Sequence, residues 1–231
     1  MVCSTNNPAA ELAFNEGGEQ AEQQNLAEAE QAYLAAIRED PSFCDAMDNL
    51  AILYRRSGRA DKAIPLYEQS LAIAPHNEVA LQNLGVAYSS VQRLDDALRA
   101  YGKLTELKPQ NPEGWFGQGN VFVMSGRYGE AIASLRRAEQ LYVAASSPYL
   151  TDVRLLIGLA AAGLSDWKQV RAVLTPLYDQ VSHLPEVNLY LGLAYAQPDA
   201  LEPQRARVYL ERARAQGATV DEAVWQRVQE P

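Results

Sequence analysis

The chain has 231 residues, of which 48% are hydrophobic and 21% charged, enough apolar material to build a core and too much for wholesale disorder. Lysine and arginine number 20 against 29 acidic residues, and the net charge of -9 removes the broad basic field that draws proteins onto nucleic acid or anionic lipid. The longest apolar stretches, such as Leu155 to Leu164, fall short of the ~20 residues that a membrane-crossing helix needs.

Residues 1–9 are polar and proline-bearing and are expected to form a flexible tail. From there the chain repeats itself. Pro41, Pro75 and Pro109 are spaced by 34, and 231 residues would hold about 6.8 such periods. Gly17, Ala51, Gly85 and Gly119 form one row of small residues in this register, and Ala29, Ala63, Ala97 and Ala131 form another. Bulky residues follow the second row four places on, at Tyr33, Tyr67, Tyr101 and Leu135, and Tyr54, Tyr88 and Phe122 add an aromatic row. Apolar residues three and four apart predict two helices per period, with the small residues where a neighbouring helix comes close. Gly58 and Gly126 supply the left-handed residue that ends a first helix, and each proline ends a second one.

The predicted units, in chain order, are 10–43, 44–77, 78–111 and 112–145, an insertion at 146–150, an irregular unit at 151–184, a sixth at 185–218 and a capping helix within 219–231. The insertion follows from Gly119 to Gly158, a spacing of 39 rather than 34, after which Gly158 and Gly192 resume the register. The fifth unit is irregular because Ala161 and Val170 replace the expected aromatic and small residues. Thr219-x-x-Glu222 reads as a capping box for the last helix.

Leu81-x2-Leu84-Gly85-x2-Tyr88, then Ala97-x3-Tyr101, then Pro109 resembles the tetratricopeptide repeat, and Trp115 opens the fourth unit in the tryptophan place. The resemblance implies an all-α, right-handed superhelical solenoid of about six helix-turn-helix repeats with a C-terminal capping helix. It also implies a concave groove lined by the first helices, where a peptide or a partner helix is held.

Groove candidates follow from that register. Asn15, Asn49 and Asn83 stand two places before the small row, 34 apart, and resemble an asparagine ladder able to bind a peptide backbone. Ile52, Val86, Phe116, Asn120 and Met124 lie on the same face, followed by Leu155, Leu156, Leu159, Leu189 and Tyr190 as an apolar stretch suited to an amphipathic helix. Arg55 and Arg56 project near the ladder and could meet an acidic group of a partner. The cationic residues of a chaperone-docking carboxylate clamp are missing from the matching places.

No cofactor, metal or catalytic residue is expected. His76 and His183 lack ligand or triad companions at useful spacing, and no phosphate-binding loop is present. The expected partner is another protein, with self-association through repeat faces a further expectation. Cys3 and Cys44 are too few for a disulfide framework and are expected as a tail thiol and a partly buried thiol. Cys3 with the polar residues after it also resembles the start of a mature bacterial lipoprotein. That resemblance implies a lipid anchor at Cys3 and a pilotin-like role in assembling a secretin or type IV pilus at the periplasmic face of the outer membrane. A complete chain without a signal segment would instead be cytoplasmic.

Overall fold

The computed structural model of the chain describes residues 3–200 and 202–229, and among them all regular structure is helical. The helices divide between two compact units, one ending at Val121 and the other starting at Phe122.

The first unit contains α1 (Pro8–Glu22), α2 (Leu26–Glu39), α3 (Cys44–Arg56), α4 (Ala60–Ile73), α5 (Glu78–Ser90), α6 (Leu94–Leu107) and most of α7 (Pro112–Met124). Helices α1 and α2, α3 and α4, and α5 and α6 pack as hairpins, while α2 lies on α3 and α4 on α5. A shared core runs through Tyr33, Leu50, Tyr67, Leu81, Tyr101 and Leu104. Helices α2, α4 and α6 each stop two residues before a proline of the 34-residue row. Their C-cap residues Asp40, Ala74 and Lys108 leave the helical region, with φ of -139°, -123° and -135°, as a residue close before proline tends to do.

Tight approach explains the small residues. A methyl carbon on Gly17 would lie 2.6 Å from Tyr33, and one on Gly85 2.6 Å from Tyr101. The turns between first and second helices pass through the left-handed region at Gly58 and Gly126, with φ of 73° and 69°, and at Gln24, Gln92 and Ser165, with φ of 64°, 61° and 56°.

In the second unit, α8 (Tyr128–Ala144) packs on α9 (Leu150–Gly163), and α9 on α10 (Trp167–Leu174). Helix α8 has 17 residues against 14 in α6 and is followed by a turn that leads into α9. The helix that pairs with α9 is broken after Leu174. Pro176 has no N–H to give to a helix ladder, and the chain passes through a 3₁₀ turn, Thr175–Leu177, into the short α11 (Tyr178–Val181). Helices α12 (Pro185–Tyr195) and α13 (Pro203–Ala215) form the last hairpin, and α14 (Glu222–Arg227) packs on α13.

Two expectations are corrected at the ends of the chain. The last helix is capped by Asp221, whose carboxylate accepts from the backbone N–H of Ala223 and Val224, and Thr219 is outside the cap. Residues 3–9 are no free tail: Pro8 and Ala9 already belong to α1, and Asn7 caps it by accepting from Ala9 N and Ala10 N. Ahead of that cap, the Cys3 carbonyl accepts from Asp45 N at 3.2 Å, Thr5 Oγ1 donates to Asp40, and Asn7 Nδ2 donates to the Glu39 carbonyl at 2.9 Å. Cys3 is joined to Cys44 by a disulfide, and no described cysteine is free. The reading of two independent thiols is therefore corrected, and the sulfur that a lipid thioether at Cys3 would use is already engaged.

Candidate functional site

The asparagine row occupies equivalent places on α1, α3 and α5, but its members differ in environment. Asn15 is exposed, while Asn49 and Asn83 are half-buried. Asn49 faces the hydroxyl of Tyr33, whose pKa is raised by burial and tempered by this amide. The side chains of Asn15 and Asn83 hydrogen-bond to no other described residue, which leaves both amides without an internal partner. The row lapses at Gly117 for a steric reason, since a methyl carbon there would fall 2.2 Å from the Tyr101 ring.

A hollow of about 360 Å³ gathers several of these groups in the first unit. Asn49, Ile52 and Arg56 of α3 form one wall, Gly18, Ala21 and Glu22 of α1 the other, and Leu26 and Tyr33 of α2 contribute as well. Arg56 is exposed and has no ion-pair partner among the described residues, while Glu22 places the opposite charge across the hollow. The mixture of an apolar floor with an amide and both signs of charge suits a segment of polypeptide, which carries backbone polar groups and side chains of both kinds.

Arg55 is turned away from this hollow. It is half-buried and its charge lies near Tyr67, whose pKa burial pushes up to about 12 against the opposing pull of the guanidinium, and near Tyr101, raised further by deeper burial. Val86, Phe116 and Asn120 are half-buried on α5 and α7. In the second unit Met124 is 41% exposed, whereas Leu155, Leu156 and Leu159 on α9 and Leu189 and Tyr190 on α12 are half-buried. Each of those leucines presents part of its surface and contributes the rest to packing.

Several positions that organise the site were not singled out in the sequence. Asp48 is 6% exposed, and its Oδ2 accepts from Asn77 Nδ2 at 2.8 Å. Asn77 in turn caps α5, its Oδ1 accepting from Ala80 N, so Asp48 ties the second repeat to the start of the third. Burial pushes the Asp48 carboxyl up to about 6, and the charge of nearby Asp45 adds to the rise. Arg59, Arg93 and Arg127 stack on Tyr54, Tyr88 and Phe122 with guanidinium-to-centroid distances of 4.6, 4.5 and 4.5 Å, each arginine following its aromatic by five residues. That row was legible in the 34-residue register, because Arg59, Arg93 and Arg127 share it. Asn188, fully buried in the second unit, accepts from Tyr178 Oη at 2.6 Å and donates to the Ser182 carbonyl and to Gln216 Oε1.

Among the described residues, no group of three or more metal-ligating side chains converges, and no helix is long and apolar enough to cross a membrane.

Comparison with known proteins finds similarity over part of the sequence and over the fold. Tetratricopeptide repeat models match residues 43–110 and 83–147. The fold is similar to that of PilF of Pseudomonas aeruginosa, with a TM-score of 0.72, 17% identity and coverage of 94% of this chain and 96% of that one. It is similar also to a tetratricopeptide repeat protein from Parabacteroides merdae, with a TM-score of 0.69, 17% identity and coverage of 96% and 98%. YrrB, described as having an unusual peptide-binding site, aligns with a TM-score of 0.66 and 19% identity over 80% of this chain and 92% of its own. No curated protein matches the chain in sequence.

Proposed function

We propose that this chain, whose residues 43–147 match tetratricopeptide repeat models, is a non-catalytic scaffold holding a peptide or helical segment of a partner protein. The observation that carries the reading is the hollow in the first unit, where Asn49, Ile52 and Arg56 face Gly18, Ala21 and Glu22, with the internally unpartnered amides of Asn15 and Asn83 on the equivalent places of the neighbouring first helices. An amide can donate to one backbone group and accept from another, which favours an extended segment whatever its sequence. Specificity would come from the apolar floor and from Arg56 and Glu22. The partly exposed leucines of α9 and α12 offer the second unit a separate apolar contact.

Peptides selected from a displayed library of linear sequences against the folded protein test the proposal. Each amide contact contributes about 0.5–1.5 kcal/mol, so the triple variant Asn49→Ala, Arg56→Ala, Asn83→Ala is expected to lose about tenfold or more in affinity with helical circular dichroism unchanged. Equal affinity in the variant would overturn the groove reading.

A further inference from the structure

We infer that the Cys3–Cys44 pair is a thiol-reactive fastening that holds the α1–α2 hairpin to the α3–α4 hairpin, and that its oxidation state sets how firmly α1 and α2 are docked. The two cysteines are 41 positions apart, and the bond spans a repeat boundary: Cys3 precedes α1, whereas Cys44 is the first residue of α3.

Among the described helices, α1 and α2 have another hairpin, α3 and α4, on one side only, and such an edge is where a stack frays. Besides the disulfide, Glu30 of α2 pairs with Arg59 and accepts from Tyr54 Oη, and Tyr33 packs in the shared core. Phe14 meets Phe43 at 4.9 Å between ring centroids, and the segment 3–7 crosses the α2–α3 linker with hydrogen bonds to Asp45 N, Asp40 and the Glu39 carbonyl. These contacts depend on segment 3–7 and α1 staying in place, and the disulfide anchors the segment at its far end.

Access to the two sulfurs is unequal. Cys44 is fully buried, and Cys3 is partly exposed. In the forward direction the Cys3 thiolate attacks a small disulfide such as oxidised glutathione, giving a mixed disulfide and one released thiolate. The Cys44 thiolate then attacks Cys3 Sγ and displaces the second. Two protein thiols are thereby oxidised, the small disulfide is reduced to two thiols, and the two protons pass to solvent or to the released thiolates. Reduction runs by the same steps in reverse, with entry at Cys3 Sγ. Loosening α1 would also withdraw Gly18, Ala21 and Glu22 from the hollow, a consequence that rests on the groove reading, whereas the fastening itself does not.

Hydrogen exchange of the full chain with and without a phosphine reductant provides the test. Amides of residues 8–39 are expected to exchange about thirtyfold faster after reduction, with those of α4 to α6 unchanged. The double variant Cys3→Ser, Cys44→Ser should show the fast pattern in either condition. Equal protection of 8–39 in both redox states would overturn the inference, as would acceleration spread over α4 to α6, since the bond would then guard the whole unit. Intact mass of the untreated protein with two alkylatable thiols, or with lipid on Cys3, would overturn it as well.

Discussion

The ring of Tyr101 fills the space that a side chain at Gly117 would enter, so one tyrosine of the third repeat decides what the first helix of the fourth can carry. Gly85, on the same repeat as Tyr101, is held to the same limit. Substituting Gly117→Asn would restore the asparagine row on paper while forcing a nearly buried ring to move. Overpacking of this kind typically costs about 1–3 kcal/mol, and thermal unfolding should shift down accordingly. An unchanged melting temperature would mean that Tyr101 has room the geometry does not show.

Asp48 should make stability depend on pH in a direction opposite to that of most carboxylates. Its folded pKa of about 6 lies above the ordinary value, so the ionised form is disfavoured by folding. The penalty is fully present above the folded pKa and is relieved as pH falls through about 6 toward the unfolded value, over a range worth on the order of 2–3 kcal/mol. Asp48→Asn keeps an acceptor for Asn77 and removes the charge. Relative to that variant, the wild type is expected to gain stability between pH 7.5 and pH 5 in denaturant titrations; parallel curves would refute the assignment.

Arg59 and Arg99 should respond differently to truncation. Arg59 lies on the Tyr54 ring and pairs with the shielded Glu30 at 2.7 Å, and Tyr54 Oη donates to the same carboxylate. Arg99 has a side chain 70% exposed and shares Asp96 with Arg93. Arg59→Ala is therefore expected to cost about 1–2 kcal/mol, and Arg99→Ala within about 0.5 kcal/mol of nothing. Chemical denaturation of the two single variants makes the comparison.

Asn188→Ala would take a fully buried amide away from Tyr178 Oη and Gln216 Oε1, while the Ser182 carbonyl keeps Gln216 Nε2 as a donor. Buried groups left without partners cost about 1–3 kcal/mol each, with partial recovery from water or from Arg212, which donates to Tyr178 Oη at 2.6 Å. A loss of about 2–4 kcal/mol is expected in the second unit, detectable as faster hydrogen exchange in α12 and α13.

The repeat register was legible because it is local. Pro41, Pro75 and Pro109 act on their own helices through the missing N–H and the restricted residues before them, and the helix ends fall where that rule puts them. The break after α10 falls at Pro176, which was not singled out in the sequence, while Ala161 and Val170, the residues that were named, lie within α9 and α10. What else escaped was decided by partners distant in sequence. Nothing near Cys3 announces Cys44, and Asp48 looks like a solvated helix residue until Asn77 of the next linker reaches it. At the last helix, Thr219 and Asp221 offer rival caps within three residues, and the backbone geometry selects the aspartate. For the groove, sequence spacing named the places, while the hollow between α1 and α3 and the turning of Arg55 toward Tyr67 depend on packing that spacing does not describe.

The turns between paired helices carry one more implication. Gly58 and Gly126 adopt the left-handed conformation at no steric cost, whereas Gln24, Gln92 and Ser165 adopt it against a penalty of about 1–2 kcal/mol. The hinges thus alternate along the chain, relaxed in the second and fourth repeats and loaded in the first, third and fifth. Replacing Gln24, Gln92 or Ser165 with glycine would lift that load, turn by turn.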